Sequence, residues 1–328
     1  MRSFMRVVLA ALVPEPCMFG AVVPGAATTR IRVGTMPVID LAPLYAAVDQ
    51  GYFRDERIEL EITAVAGTSE AVMPPLAAGK IDIGFSNIVT VMKGVESGVD
   101  FRVVAPGTAM PEGNDVNPCV VLKDGPVKEA KDLEGRKVAV NALNSIVWLY
   151  MRAFLEKKGA NLSKIQFVEM PFAQMLDALL SGQIDAACPT EPYFAKLIQS
   201  GKIRVLGFPY HEITDNLQSV MGIATAEWVR NNGDALERFM RAYLKGVAYI
   251  EEHRTDAEGV RIIAGYTKMD PATVAKIVLP KFSSVVRPEG IKETAQLMVK
   301  YGLLKKMPDV NSIINPTAVD RPEVAEMQ

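Results

Sequence analysis

The chain has 328 residues, 49% hydrophobic and 23% charged, with 36 basic side chains against 38 acidic ones. A chain of this size can bury a core without disulfide or metal staples and has room for about two domains. Its near-neutral charge gives nucleic acid no basic stripe, and the sequence has no zinc spacing, P-loop or low-complexity tract.

The N-terminal stretch differs from the rest. Arg2 and Arg6 precede an apolar run over 7–13, and Gly25, Ala26 and Ala27 are small residues suited to processing. Residues 1–27 therefore read as a secretory signal. The apolar run is too short for a permanent anchor, and Cys17 lacks the small apolar neighbours of a lipoprotein box. The mature chain would keep Cys119 and Cys188, either paired in an oxidising compartment or buried as apolar thiols.

After the signal, residues 31–36 (IRVGTM) form a short apolar strand pattern. A helical pattern follows in 40–53, with Leu41, Leu44, Tyr45 and Val48 on one face and Gly51 at its end. A second strand is expected over 58–65. Next comes a helix closed by Gly79, and then a strand opening with Ile81-Asp82 and ending in Phe85-Ser86-Asn87. The same order recurs further on. A strand at 136–142 leads to a helix carrying Ile146, Leu149, Tyr150 and Phe154, ending at Gly159. A strand at 165–170 follows, and then LLSGQIDAACPTEP, residues 179–192, matches LAAGKIDIGFSN, residues 76–87, through Leu-x-x-Gly-x-Ile-Asp.

Each half thus reads strand–helix–strand–helix–strand, which predicts a parallel, doubly wound sheet with ligands beyond the carboxyl ends of its strands. Asp82 and Asp185, at the repeated strand starts, are read as bonding nearby backbone. The repeat stops near residue 210. Beyond it lie one apolar strand, VMGIAT, a long helix from Asp234 with Leu236, Phe239, Met240, Tyr243 and Val247 buried, and helical patterns at 271–279 and 289–304. Asp234 with Glu237 reads as the capping pair of the long helix. The tail, 314–328, has little to bury. The lone strand needs a sheet, so this last segment completes the first half. The fold class is therefore α/β: two doubly wound lobes joined by two crossover segments, near 103–110 and 204–212. Lobe 1 takes 28–108 with 211–328, and lobe 2 takes 109–210.

The combination P-LYAA-DQGYF, L-AG-IDIGFSN and DLEG-KVAV resembles the substrate-binding proteins of ABC importers. The family is the one serving nitrate, aliphatic sulfonates, taurine and thiamine-pyrimidine precursors. The resemblance covers about 30–305 and implies the type II periplasmic binding fold. It also implies a monomer in the periplasm that closes on a small molecule, passes it to an inner-membrane permease, and needs neither cofactor nor metal.

Positions matching the family's ligand loops are Thr35, Met36, Asp40, Ser86, Asn87 and Thr108 in lobe 1. In lobe 2 they are Asn141, Asn144, Ser145, Thr190 and Glu191. Asp40, Asn144 and Ser145 stand equally well as helix caps, worth about 1 kcal/mol each, and one residue can serve both ends. Glu191 lies between Pro189 and Pro192, has no place in a helix interior, and is read as a ligand contact. Phe85, Trp148, Tyr193, Phe208 and Tyr210 are aromatic neighbours able to wall a pocket.

Exposed N–H groups at helix starts favour an anion, but the loops carry Asp40 and Glu191 and no Lys or Arg. The balance favours a nitrogenous neutral or cationic molecule over an organic anion such as a sulfonate, unless Lys93 or Arg287 enters. An enzyme resembling thiamine-pyrimidine synthases would need more than His211 and His253 and a cysteine cluster, so catalysis is not expected. A ligand-sensing module on the same fold is the other alternative.

Overall fold

The computed structural model describes residues 28–36, 38–65 and 69–319. The expected signal, including Cys17, lies outside them. Among the described residues the strands are β1 Thr29–Thr35, β2 Ile58–Ala64, β3 Ile83–Asn87, β4 Phe101–Ala105 and β5 Thr108–Met110, then β6 Cys119–Leu122, β7 Lys137–Val140, β8 Gln166–Glu169, β9 Ala186–Ala187 and β10 Ile203–Gly207, and last β11 Leu217–Gln218, β12 Val220–Thr225 and β13 Lys281–Phe282. They form two five-stranded sheets, ordered β2-β1-β3-β12-β4 and β10-β6-β9-β7-β8, and a three-stranded sheet, β11-β5-β13.

The two large sheets repeat one plan. In the first, β1 runs parallel to β2 and β3; in the second, β7 runs parallel to β8 and β9. The expected all-parallel sheets are nevertheless mixed. In each, one strand next to an edge runs against its neighbours: β12 between β3 and β4, and β6 between β9 and β10. Both are the first strand the chain lays down after crossing from the other sheet, so the crossing sets their direction. The stretches read as crossovers also hold more order than expected, since 101–105 and 203–207 are sheet strands and the crossings follow them.

The repeated Ile-Asp has a direct physical reason. The Asp82 carboxylate accepts the Arg32 backbone N–H at 2.8 Å and the Arg32 guanidinium at 3.0 and 2.5 Å. Asp185 accepts the Lys137 N–H at 3.0 Å and Arg136 Nη1 at 2.9 Å. In both sheets the carboxylate entering the third strand fastens the start of the first. The glycines three residues earlier, Gly79 and Gly182, take the left-handed conformation that ends the preceding helix.

The helix faces follow the sequence pattern. Leu41, Leu44 and Tyr45 are buried, as are Ile146, Leu149, Tyr150 and Phe154, and likewise Leu236, Phe239, Met240, Tyr243 and Val247. The long helix, Gly233–Glu252, packs on Ala42–Asp49. Their approach is close enough that a Cβ on Gly246 would fall 2.2 Å from the Pro43 carbonyl oxygen. The capping pair at its start is not formed. Asn232 holds the N-cap position without a capping bond, its side-chain amide donating to the Trp228 carbonyl instead, and Asp234 pairs with Arg238 one turn on. A helix over Ala257–Thr267, capped by Asp256, was not read from sequence. The expected 271–279 helix is confined to Pro271–Val274.

The crossing segments meet backbone to backbone. A Cβ at Gly107 would lie 1.5 Å from the Val220 carbonyl oxygen, so only glycine fits there. Beside them β5 pairs with β11 and β13, tying both crossings to the segment after residue 280. The helix Ile146–Lys157 packs against Ile88–Glu96 and Pro288–Lys300. There the Tyr150 hydroxyl shares a 2.7 Å hydrogen bond with Thr294, and the Tyr301 hydroxyl donates to Glu156 at 2.7 Å. The tail is draped along β4: Ile314 bridges to Val103, and Asn315 N–H donates to its carbonyl.

Candidate functional site

In the first sheet, the residues chosen from sequence converge at the strand ends. Thr35 ends β1 and is buried; Ser86 and Asn87 end β3 and are buried beside β12. Asn87 caps the helix Ile88–Glu96, its Oδ1 accepting the Thr90 N–H at 3.0 Å. Thr108 is fully buried at the start of β5. Its hydroxyl donates to Asp40 Oδ1 at 3.3 Å and accepts the Val220 N–H at 3.4 Å. The alternative of Asp40 as a helix cap does not hold, since its carboxylate points to Thr108 and makes no cap bond. Met36 contributes its carbonyl, which accepts the Tyr45 hydroxyl at 3.0 Å.

In the second sheet, Ser145 is a cap in fact. Its hydroxyl accepts the Trp148 N–H at 3.3 Å and donates to Asn141 Oδ1 at 3.3 Å. Asn144 is not a cap. It is exposed with φ of 61°, a conformation that Asn tolerates better than most residues. Lys93 Nζ, from the first-sheet helix, reaches the Asn144 carbonyl at 3.5 Å, so the two groups of loops face each other. Thr190 and Glu191 precede the helix Tyr193–Gln199, which was not read from sequence. Thr190 accepts the Tyr193 and Phe194 N–H groups through its carbonyl. Glu191 does have a local role after all: its carboxylate accepts the Ala195 N–H at 3.1 Å, anchoring that helix start.

The electrostatics set two carboxylates apart. Burial pushes the Asp40 carboxyl up to about 6, although its own backbone N–H and the Thr108 hydroxyl favour the charged form. Burial likewise pushes Glu191 up to about 7 against the Ala195 N–H. Sequence reasoning missed two further polar residues. The Thr90 hydroxyl donates to Glu70 at 3.1 Å, and Glu70 lies within electrostatic reach of Tyr210. Nothing local marks either one, because the fold brings them together.

The aromatic candidates divide. Tyr210 is buried within electrostatic reach of Asp40 and Cys188. Phe85 is core, packed on Tyr243, and Trp148 is core, edge-on to Phe167 and beneath Arg152. Tyr193 stacks on Phe172 and Phe208 on His211. His211 faces Asp115 at 3.3 Å, while His253 caps the long helix and bonds Asp256 at 2.7 Å, which raises its pKa. Arg287 is exposed, and its backbone N–H donates to Gln218. Cys119 and Cys188 are both free, buried thiols.

Two α/β sheets of one plan, twice crossed by the chain and with polar strand ends turned toward each other, make up the fold of a periplasmic binding protein. The family described as NMT1/THI5 like matches residues 38–257, more than half of the chain, and the chain belongs to that family. A curated relative in Escherichia coli (strain K12), named for binding aliphatic sulfonates, is 24% identical over 260 residues, covering 76% of this chain and 77% of its own. The nitrate/nitrite binding protein NrtA of Nostoc sp. (strain PCC 7120) is 22% identical over 270 residues, covering 76% of this chain and 60% of its own. The crystal structure of the periplasmic aliphatic sulphonate binding protein SsuA from Escherichia coli superposes with a TM-score of 0.75 at 19% identity, covering 87% of this chain and 97% of that one.

Proposed function

We propose that the chain is the exported solute-binding component of an ABC importer. Residues 1–27 act as a cleaved signal, and the mature protein works as a monomer in the periplasm. One lobe is 28–108 with 211–328 and the other is 109–210. They close on a small organic solute and present it to an inner-membrane permease. The observation that carries this reading is the facing of two sets of strand-end polar groups, Asp40, Ser86, Asn87 and Thr108 against Asn141, Ser145 and Glu191, with Lys93 reaching Asn144.

Closure is ligand selection between an open and a closed form, since only the closed form lets one solute touch both sets. An affinity near micromolar, about −8 kcal/mol, asks for only a few buried hydrogen bonds and one charged or stacked contact. The relatives' names favour an organic anion, whereas the carboxylates of this cleft favour a nitrogenous neutral or cationic molecule. The residues at the cleft suit binding rather than catalysis: neither histidine stands with a nucleophile and an orienting partner. Small-angle scattering with and without a panel of small solutes tests the reading. A smaller radius of gyration with at least one of them is the expected result, and no compaction with any is the result that sinks it.

A further inference from the structure

The centre of the cleft bears on the charge of the solute. Asp40 is held by the Thr108 hydroxyl and Glu191 by the Ala195 N–H, and among the described residues neither forms an ion pair with Lys, Arg or His. A carboxylate withdrawn from water without a cationic partner is costly.

Around Asp40 stand three tyrosines, Tyr45, Tyr210 and Tyr243, each within its electrostatic reach. Tyr45 donates to the Met36 carbonyl and Tyr243 to the Pro106 carbonyl, both at 3.0 Å. Tyr210 differs. It is only 3% exposed, yet its hydroxyl makes no hydrogen bond among the described residues. It lies within electrostatic reach of both Asp40 and Glu70 and bonds neither. Its ring is fixed edge-on to Tyr150 at 5.2 Å, and its carbonyl is fixed by the Ile213 and Thr214 N–H groups of the second crossing.

One guest suits both features. A compact positive group bearing N–H or N–CH₃ offers charge to the carboxylates and binds well against tyrosine faces. A sulfonate or nitrate in the same place would meet carboxylates instead. We propose that this cleft selects a small organic cation, an amine, amidine or ammonium, whose charge sits among Asp40, Glu70 and Tyr210 while Glu191 approaches from the second lobe. The inference rests on the solute-binding reading above and reverses the ligand charge that the relatives' names carry.

The test is calorimetry and small-angle scattering on the full-length protein at about pH 8, where the carboxylates are charged. Butylammonium, choline and benzamidinium chlorides are compared with sodium methanesulfonate, sodium nitrate and neutral butanol. At least one cation is expected to bind and compact the protein. Its affinity should drop by about tenfold or more in Asp40→Asn, and by less in Tyr210→Phe, as the loss of charge-assisted contacts requires. Binding of methanesulfonate or nitrate without any cation overturns the proposal but leaves the solute-binding reading standing. Cation binding that survives both substitutions overturns the assignment to this site. No compaction with any probe, charged or neutral, ends the solute-binding reading and the proposal together.

Discussion

Asp82 and Asp185 hold the same place in the two large sheets, yet they carry different weight. The Asp82 side chain is 10% exposed and grips Arg32 with both oxygens as well as the backbone. Asp185 is 27% exposed and takes one guanidinium nitrogen and one N–H. The same letters therefore give a deep clamp in one sheet and a shallower one in the other, and burial makes the difference. Asp40 extends the contrast, being a part-buried carboxylate with no such clamp.

The comparison can be broken most sharply at Asp82. Asp82→Ala leaves a guanidinium and a strand N–H without their acceptor, and should cost about 3 kcal/mol in urea unfolding. A loss no larger than that of Asp185→Ala would show that burial does not govern the pair. Asp40→Asn should act in the opposite direction. The folded Asp40 carboxyl keeps its proton up to about 6 against an ordinary 3.8, so folding is weakened as pH rises through that window. Removing the charge should stabilise the ligand-free protein by about 2 kcal/mol above pH ~6 and by nothing near pH ~4. The groups facing it are Thr108, Tyr45, Tyr210 and Tyr243. A melting-temperature difference independent of pH would refute that account.

Asp185→Ala should cost about 1 kcal/mol by the same urea measurement. The smallest effect is expected where β1 meets the first sheet's outer strand, β2. There Arg30 sits 3.6 and 3.9 Å from Glu59 and Glu61 with all three exposed. Arg30→Gln should change stability by less than about 0.5 kcal/mol, and a larger change would mean that exposed pairs matter more here than burial.

Much of the fold could be read from local pattern. The strand–helix order, the buried faces around Leu44 and Tyr150, and the two left-handed glycines all follow from spacing alone. What escaped depends on distant parts of the chain. No local signal tells that β6 and β12 run backwards, because their direction comes from the crossings. The helix Ala257–Thr267 hides behind Gly259, which looks like a breaker but is needed: a Cβ there would lie 2.0 Å from the His253 carbonyl oxygen. At the cleft, the loop positions after β1, β3 and β7 were legible, whereas Glu70 and Thr90 were not, since only the packing of two helical segments joins them. The flanking prolines mark Glu191, but not its bond to Ala195, because no local pattern marks the helix that it anchors.

Cys119 opens the second sheet and Gly207 closes it, and the two are register partners on adjacent strands. The second sheet therefore hangs from the chain by a single doorway, with entrance and exit side by side. A segment bounded in that way is a natural unit of exchange. A relative's stretch grafted between these two positions would meet matching ends, bringing a new half of the binding surface to an unchanged crossing. Families built on such a doorway can change what they carry by replacing one wall at a time.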